Sequence, residues 1–96
     1  MYKKRKYQWD TAKAESNFAK HGVVFEAVYD FDWGTVLTLD DQRWLYGENR
    51  FFSLGLIDHR LHTLIWTWRE DYVRVISLRK ANDRERKVYD TKIIHH

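Results

Sequence analysis

The sequence predicts an α+β fold, an antiparallel β-sheet meander with two N-terminal helices on one face and a further helix at the C-terminus. Three observations predict it. Four runs rich in branched and aromatic residues follow one another: TVLTL from Thr35, FFSLGLI from Phe51, LHTLIWTWR from Leu61 and YVRVISLR from Tyr72. The links between the last three, Asp58-His59-Arg60 and Glu70-Asp71, are short enough to demand antiparallel hairpins. Helical spacing with cap chemistry is confined to the two ends of the chain.

The first helix follows Trp9. Asp10 is a good N-cap, Ala12, Ala14, Phe18 and Ala19 are small or apolar, and Gly22 is placed to end the helix after Lys20. A short second helix is predicted from Phe25 to Phe31, because Phe25, Val28 and Tyr29 recur at helical spacing, with Gly34 closing it. After the strands, Asn82 caps a last helix to about Tyr89, with Glu85 three residues on as in a capping box. No repeat, low-complexity tract or proline interrupts this order.

The short links also set a trial register. Centring the last hairpin on Glu70-Asp71 pairs Arg69 with Tyr72, Trp68 with Val73, Thr67 with Arg74, Trp66 with Val75 and Leu64 with Ser77. Centring the previous one on His59 pairs Phe52 with Trp66, Leu54 with Leu64 and Phe51 with Thr67. Since strand side chains alternate, one face is expected to collect Phe52, Leu54, Leu56, Leu64, Trp66, Trp68, Val73 and Val75 as the core. The opposite face is expected to hold Phe51, Ser53, Gly55, Thr63, Ile65, Thr67, Arg69, Tyr72, Arg74 and Ile76.

At 96 residues, 17% of them aromatic, the chain reads as one domain over 1–96 with a real core. Residues 1–6 form a basic arm, and His95-His96 resemble the remnant of a purification tag. No cysteine is present, so disulfides and thiolate zinc sites are excluded. No apolar run approaches the ~20 residues of a membrane span, and a signal peptide's apolar core is lacking, so a cytoplasmic protein without membrane association is expected. The formal charge is +3. It is unevenly spread: residues 72–92 carry seven cations against three acids, and residues 21–60 carry seven acids against three arginines. An anionic partner is the expectation from the basic segment.

The predicted register makes Arg69 and Arg74 diagonal neighbours, beside Thr67 and Tyr72. Two guanidinium groups held together need an anion. A phosphodiester would meet that need, with the extra charge of a pentacoordinate transition state stabilised by the pair; a bridge to Glu70, Asp71 or an acid of the last helix is the plainer reading. Arg79 and Lys80 either extend this anion site or mark a solvated strand end, and Arg86 adds a cation on the last helix. Glu85 reads as a cap before a base. Lys20 and His21 suit the C-terminal dipole of the first helix, although His21 is also a natural proton shuttle. His59 and His62 lack a ligand pattern, so no metal site is expected.

The order of elements is accompanied by W-D at Trp9, N-x-x-K-H-G from Asn17 to Gly22, and V-x-F-E followed by alanine from Val23 to Ala27. Further on come G-E-x-R-F from Gly47, L-G-L from Leu54, W-T-x-R from Trp66, and R-V-I-S-x-R-K-A-x-x-x-E from Arg74 to Glu85, closed by Tyr89. Over residues 7–90 the chain resembles the BrnT toxin family. The resemblance implies a RelE-like fold and an endoribonuclease that inhibits translation without metal or other cofactor. It also implies a BrnA-type antitoxin, expected to be a ribbon-helix-helix protein, through which alone DNA would be contacted. Glu70-Asp71 stands where the family often has Gly-Asp.

The candidate catalytic residues are Arg69, Arg74, Arg79 and His21, with RNA contacts from Lys20, Thr67, Tyr72, Lys80 and Arg86. The RNA is free or on the ribosome. The reaction implied is attack of a ribose 2′-OH on the adjacent phosphate, leaving a cyclic end, with His21 or Lys80 moving protons. The apolar part of the arginine face, with Phe51, Ile65 and Ile76, or else the last helix, is expected to lie under the antitoxin. Two other readings fit the same residues: a toxin that acts by binding alone, or a module that holds a DNA-binding partner in a repressor complex. Direct DNA binding is disfavoured, since no helix-turn-helix pair is visible.

Overall fold

The computed structural model describes residues 5–41 and 49–94. Its elements are β1 (Lys6–Gln8), α1 (Thr11–His21), two 3-10 segments (Phe25–Asp30 and Trp33–Thr35), β2 (Leu37–Asp41), β3 (Arg50–Ile57), β4 (Arg60–Arg69), β5 (Tyr72–Lys80) and α2 (Asp83–Ile94). One sheet holds all five strands in the order β1-β5-β4-β3-β2. Strands β2 to β5 make the antiparallel meander, but β1 lies parallel to β5 over Lys6–Gln8, so the sheet is mixed rather than wholly antiparallel. Residues 1–4 of the basic arm, the Gly47 and Glu48 of the G-E motif, and His95-His96 lie outside the described residues. Of the arm's remainder, Arg5 sits 4.4 Å from the centre of the Trp33 ring and Lys6 opens β1.

Helix α1 forms where the caps place it. Asp10 accepts hydrogen bonds from the backbone N–H groups of Ala12 and Lys13 at 2.8 and 3.2 Å. Gly22, at φ 70°, turns its N–H back to the Phe18 carbonyl at 2.8 Å. The second predicted helix is instead a 3-10 segment, and the reason is visible in its spacing. Phe25, Val28 and Phe31, three residues apart, are 0%, 0% and 5% exposed, and a three-residue repeat eclipses side chains on one edge in a 3-10 turn.

The β4–β5 hairpin begins in the predicted register, with Arg69 opposite Tyr72 and Trp66 opposite Val75. Beyond that point Ile65 pairs with Ser77, leaving Ile76 as an extra residue, so Leu78 and not Ser77 faces Leu64. The β3–β4 hairpin corrects the prediction more deeply. Its turn is the two-residue Asp58-His59, both in left-handed backbone (φ 49° and 66°), so Ile57 pairs with Arg60 and Phe51 with Trp66. That single-residue slip moves every β3 side chain to the other face.

Consequently Phe51, Ser53, Gly55 and Ile57 join the face of Leu64, Trp66, Val73, Val75 and Leu78, against α1 and the first 3-10 segment. Buried Ser53 is satisfied there, accepting from the Trp66 indole at 2.9 Å and meeting Thr38 at 2.8 Å. Phe52, Leu54 and Leu56 instead form a second core with Leu37, Leu61, Ala81, Tyr89 and Ile93, under α2. Trp68, expected in the core, is 51% exposed and meets Trp66 edge-on.

A Cβ on Gly55 would lie 2.4 Å from the Phe31 ring, so the absent side chain lets Phe31 settle on the sheet. Gly55→Ala is expected to cost about 1–3 kcal/mol by overpacking, and Phe31→Leu in the same chain to recover part of it; equal urea midpoints for wild type and Gly55→Ala would contradict this packing. His59→Gly relieves a left-handed non-glycine residue and is expected to stabilise by about 0.5–1 kcal/mol in the same titration.

Candidate active site

The β4–β5 hairpin carries Thr67, Arg69, Tyr72 and Arg74 on one face, with Thr67 opposite Arg74 and Arg69 opposite Tyr72. The two arginines are therefore diagonal neighbours, as the register predicted. Parallel pairing of β1 adds Lys6 beside Tyr72 and Gln8 beside Arg74. Arg74 donates to the neutral Gln8 carboxamide at 2.8 Å. Thr67 donates to the Asn49 carbonyl at 2.6 Å. Asp71 pairs at 3.4 Å with Lys6, whose ammonium also lies 5.7 Å from the Tyr72 ring centre. Neither acid of the turn bonds Arg69 or Arg74.

Arg79 lies farther along the same face, opposite Thr63, and is held differently. Its guanidinium makes two parallel bonds of 2.8 Å to Glu85. Glu85 also accepts from Thr63 at 2.9 Å and from the Asn82 N–H at 2.9 Å, while its own N–H donates to the Asn82 side chain at 2.8 Å. This is the capping box predicted for the last helix, with Arg79 added as a strand-to-helix tie. Burial opposes the charge on Glu85, but the bonds from Arg79, Asn82 and Thr63 together with the Arg79 charge outweigh it and hold the carboxyl below its ordinary range. For Arg79 the bond to Glu85 outweighs burial, and its pKa is raised.

The other candidates are dispersed. Lys20 and His21, in the last turn of α1, line a cleft of about 190 Å³ with Lys13, Ser16, Asn17, Ile76 and Ser77, and neither Arg69 nor Arg74 reaches its lining. Lys80 is exposed and stands opposite His62. Arg86 bonds Asp83 and borders a cleft with His59, Arg60, Tyr89 and Asp90, beside the β3–β4 turn. Burial, ahead of its bond to the Arg60 carbonyl, pushes the His62 pKa down. Among the described residues no group of three His, Asp or Glu side chains is placed to hold a metal ion.

Sequence reasoning named no site role for Asn17, Gln8 or Lys6, taking Asn17 only as part of the N-x-x-K-H-G motif and Lys6 only as part of the basic arm. Asn17 is buried, donating to the Leu78 and Val23 carbonyls at 2.7 and 3.0 Å and accepting from the Leu78 N–H at 3.2 Å. The signal was an amide in the helix just before K-H-G, on the side that buries. Gln8 and Lys6 were hidden because β1 is three residues long and pairs with a strand more than sixty residues away.

Arg79→Ala is expected to destabilise the protein by about 1–3 kcal/mol at pH 7, since Glu85 loses its charged partner while half buried in its bonds. Because the folded-state pKa of Glu85 is depressed, its stabilisation is full above the unfolded value and lost as pH falls through the folded one. The gap between wild type and Arg79→Ala should therefore shrink in acid. Urea titrations at pH 7 and pH 3 giving an equal gap would show that the pair does not carry it.

No helix among the described residues is long and apolar enough to cross a membrane. A comparison with curated proteins gives no match. A family profile described as ribonuclease toxin, BrnT, of type II toxin-antitoxin system matches residues 9–85. That span runs from the tryptophan before the α1 cap to the glutamate that ties α2 to β5. The chain belongs to the BrnT family of ribonuclease toxins of type II toxin-antitoxin systems.

Proposed function

We propose that this chain is a metal-independent endoribonuclease of RelE-like fold, acting in the cytoplasm to inhibit translation and neutralised by a BrnA-type, ribbon-helix-helix antitoxin. One observation carries the choice of site. Two of the nearby acids are engaged by other cations, Asp71 by Lys6 and Glu85 by Arg79, and Glu70 bonds neither arginine. Among the described residues Arg74 meets a neutral amide, and Arg69 has no hydrogen-bond or ion-pair partner. Two neighbouring guanidinium groups with no carboxylate partner among the described residues suit an RNA phosphate.

In this reading the 2′-OH attacks the adjacent phosphorus, forming the O2′–P bond as the P–O5′ bond breaks; the 2′-OH proton is released to solvent, the departing 5′-oxygen takes one up, and a 2′,3′-cyclic phosphate remains. Arg69 and Arg74 meet the charge that grows on the nonbridging oxygens, a task for which fixed cations serve as well as a metal ion. Thr67 and Gln8 hold the floor of the site, and Tyr72 offers a ring face and a hydroxyl beside Lys6. Lys20 and His21, which line a cleft with Ile76 and Ser77 of β5, are assigned to the path of the RNA backbone at the edge of that strand. Arg79 supports the site through Glu85 and is assigned to positioning, not to the reacting phosphate. Lys80 and Arg86 contribute long-range attraction.

Cleavage of a labelled RNA in excess EDTA is expected, with cyclic phosphate at the new 3′ ends. Arg69→Ala and Arg74→Ala should each lower the rate by about 10²–10³, with folding unchanged by circular dichroism. Undiminished cutting by both variants would move the site elsewhere. Growth arrest without cleavage of free RNA would direct the search to ribosome-bound RNA or to a toxin that acts by binding.

A further inference from the structure

Helix α1 buries its asparagine and exposes its phenylalanine: Asn17 is 6% exposed and Phe18 is 53%. The sequence places Phe18 among the apolar residues of α1, yet it lies on the rim of a groove of about 420 Å³. Trp9, Ala14, Val24 and Phe25 line the groove with it, and Val24 is itself 47% exposed. Tyr29, 62% exposed, extends the apolar surface by its edge-on contact with Trp9. A scattered exposed hydrophobe is ordinary, but a contiguous patch of this kind marks an interaction surface.

Charge selects the kind of partner. The only ionisable residues lining the groove are Glu15 and Glu26, and both are exposed. On a chain of net charge +3, this is a locally acidic surface. Carboxylates repel a phosphate backbone, so RNA is disfavoured here. A polypeptide with a large apolar side chain between flanking lysines or arginines is favoured. We propose that the groove is the docking site of the antitoxin, which seats an apolar anchor between Phe18 and Val24 and sets basic residues against Glu15 and Glu26. The proposal rests on the toxin-antitoxin reading.

The groove is built on α1 and the first 3-10 segment, whereas Arg69 and Arg74 stand on the sheet face opposite the one these elements cover. Phe51, expected under the antitoxin beside Arg69, packs instead on Trp66 in the core. Anchoring is thereby separated from the chemistry, and groove substitutions should weaken neutralisation without weakening the toxin.

The test measures affinity, by calorimetry, for the purified product of the small reading frame adjoining this gene. Wild type is compared with Phe18→Ala and with the double variant Glu15→Lys/Glu26→Lys, and RNA cleavage is assayed in parallel. Both variants are expected to bind about tenfold or more weakly, to cleave RNA at the wild-type rate, and to arrest growth even when that product is co-expressed. Affinities within twofold of wild type would overturn the proposal and leave the ribonuclease reading intact. Self-association of wild type that Phe18→Ala abolishes, with antitoxin affinity unchanged, would overturn it in favour of a second copy of the chain. No binding by wild type would overturn both the docking site and the identification of that product as antitoxin.

Discussion

Strand β5 has a neighbour along its whole length on one side, but on the other β1 accompanies it only over Tyr72–Arg74. Beyond that, the exposed ladder would leave buried amide groups unpaired, at about 1–3 kcal/mol each. The Asn17 carboxamide fills the gap by giving and taking a hydrogen bond with Leu78, as a strand would. Its third bond, to the Val23 carbonyl, fixes the chain just after α1, and this sets the entry to the 3-10 segment whose Phe25 and Val28 fill the core. The Ile76 bulge falls in the same stretch and turns Leu78 inward, where it is fully buried. A polar side chain in a helix thus decides where α1 lies, where the sheet bends and how the core closes.

Charge is divided along β5 with similar economy. Its two arginines, Arg74 and Arg79, and the hairpin neighbour Arg69 from β4 begin as equivalent cations in the sequence. The fold distinguishes them by what α2 supplies. Glu85 is fixed by the capping box at the start of α2, within reach of Arg79 alone, so that this arginine stabilises the joint between strand and helix. Among the described residues no carboxylate is fixed on Arg69 or Arg74 in this way, and α2 packs over Leu54 and Leu61 at the other end of the face. The arginine pair with no described carboxylate partner is the one at the hairpin end.

Much of this was legible. Cap residues and short turns place α1, the start of α2 and the strands β3 to β5 nearly to the residue, and the β4–β5 turn sets the Arg69–Arg74 diagonal, whereas β2 lies two residues later than predicted and α2 runs on to Ile94. Both are local signals. The errors came where one residue decides a face. With neither Asn-Gly nor Asp-Gly at the turn, nothing announced that Asp58-His59 takes left-handed backbone, and the slip sent Phe51 and Ser53 to the wrong side. The bulge did leave a trace, since the apolar positions Val73, Val75 and Leu78 break the two-residue period. The 3-10 segment left one too, in the spacing of Phe25, Val28 and Phe31. The parallel contact of β1, by contrast, joins residues that no local pattern connects.

The corrected register also changes what the two faces can bind. With Phe51 on the wrong side, the arginine face looked too apolar for RNA and seemed to need a protein cover. With Phe51 packed on Trp66, and Phe52, Leu54 and Leu56 clustered with residues of α2, the described polar residues at the hairpin end of that face are Arg69, Tyr72, Arg74, Gln8 and Lys6 around a buried Thr67. Such a surface is suited to phosphate and, in Tyr72, to a stacked base. A cluster of exposed apolar residues, Phe18, Val24 and Tyr29, lies across the sheet with acids beside it. Opposite charge and opposite hydropathy at the arginine pair and at the groove let one small domain offer phosphate-binding and protein-binding residues on different faces of the sheet.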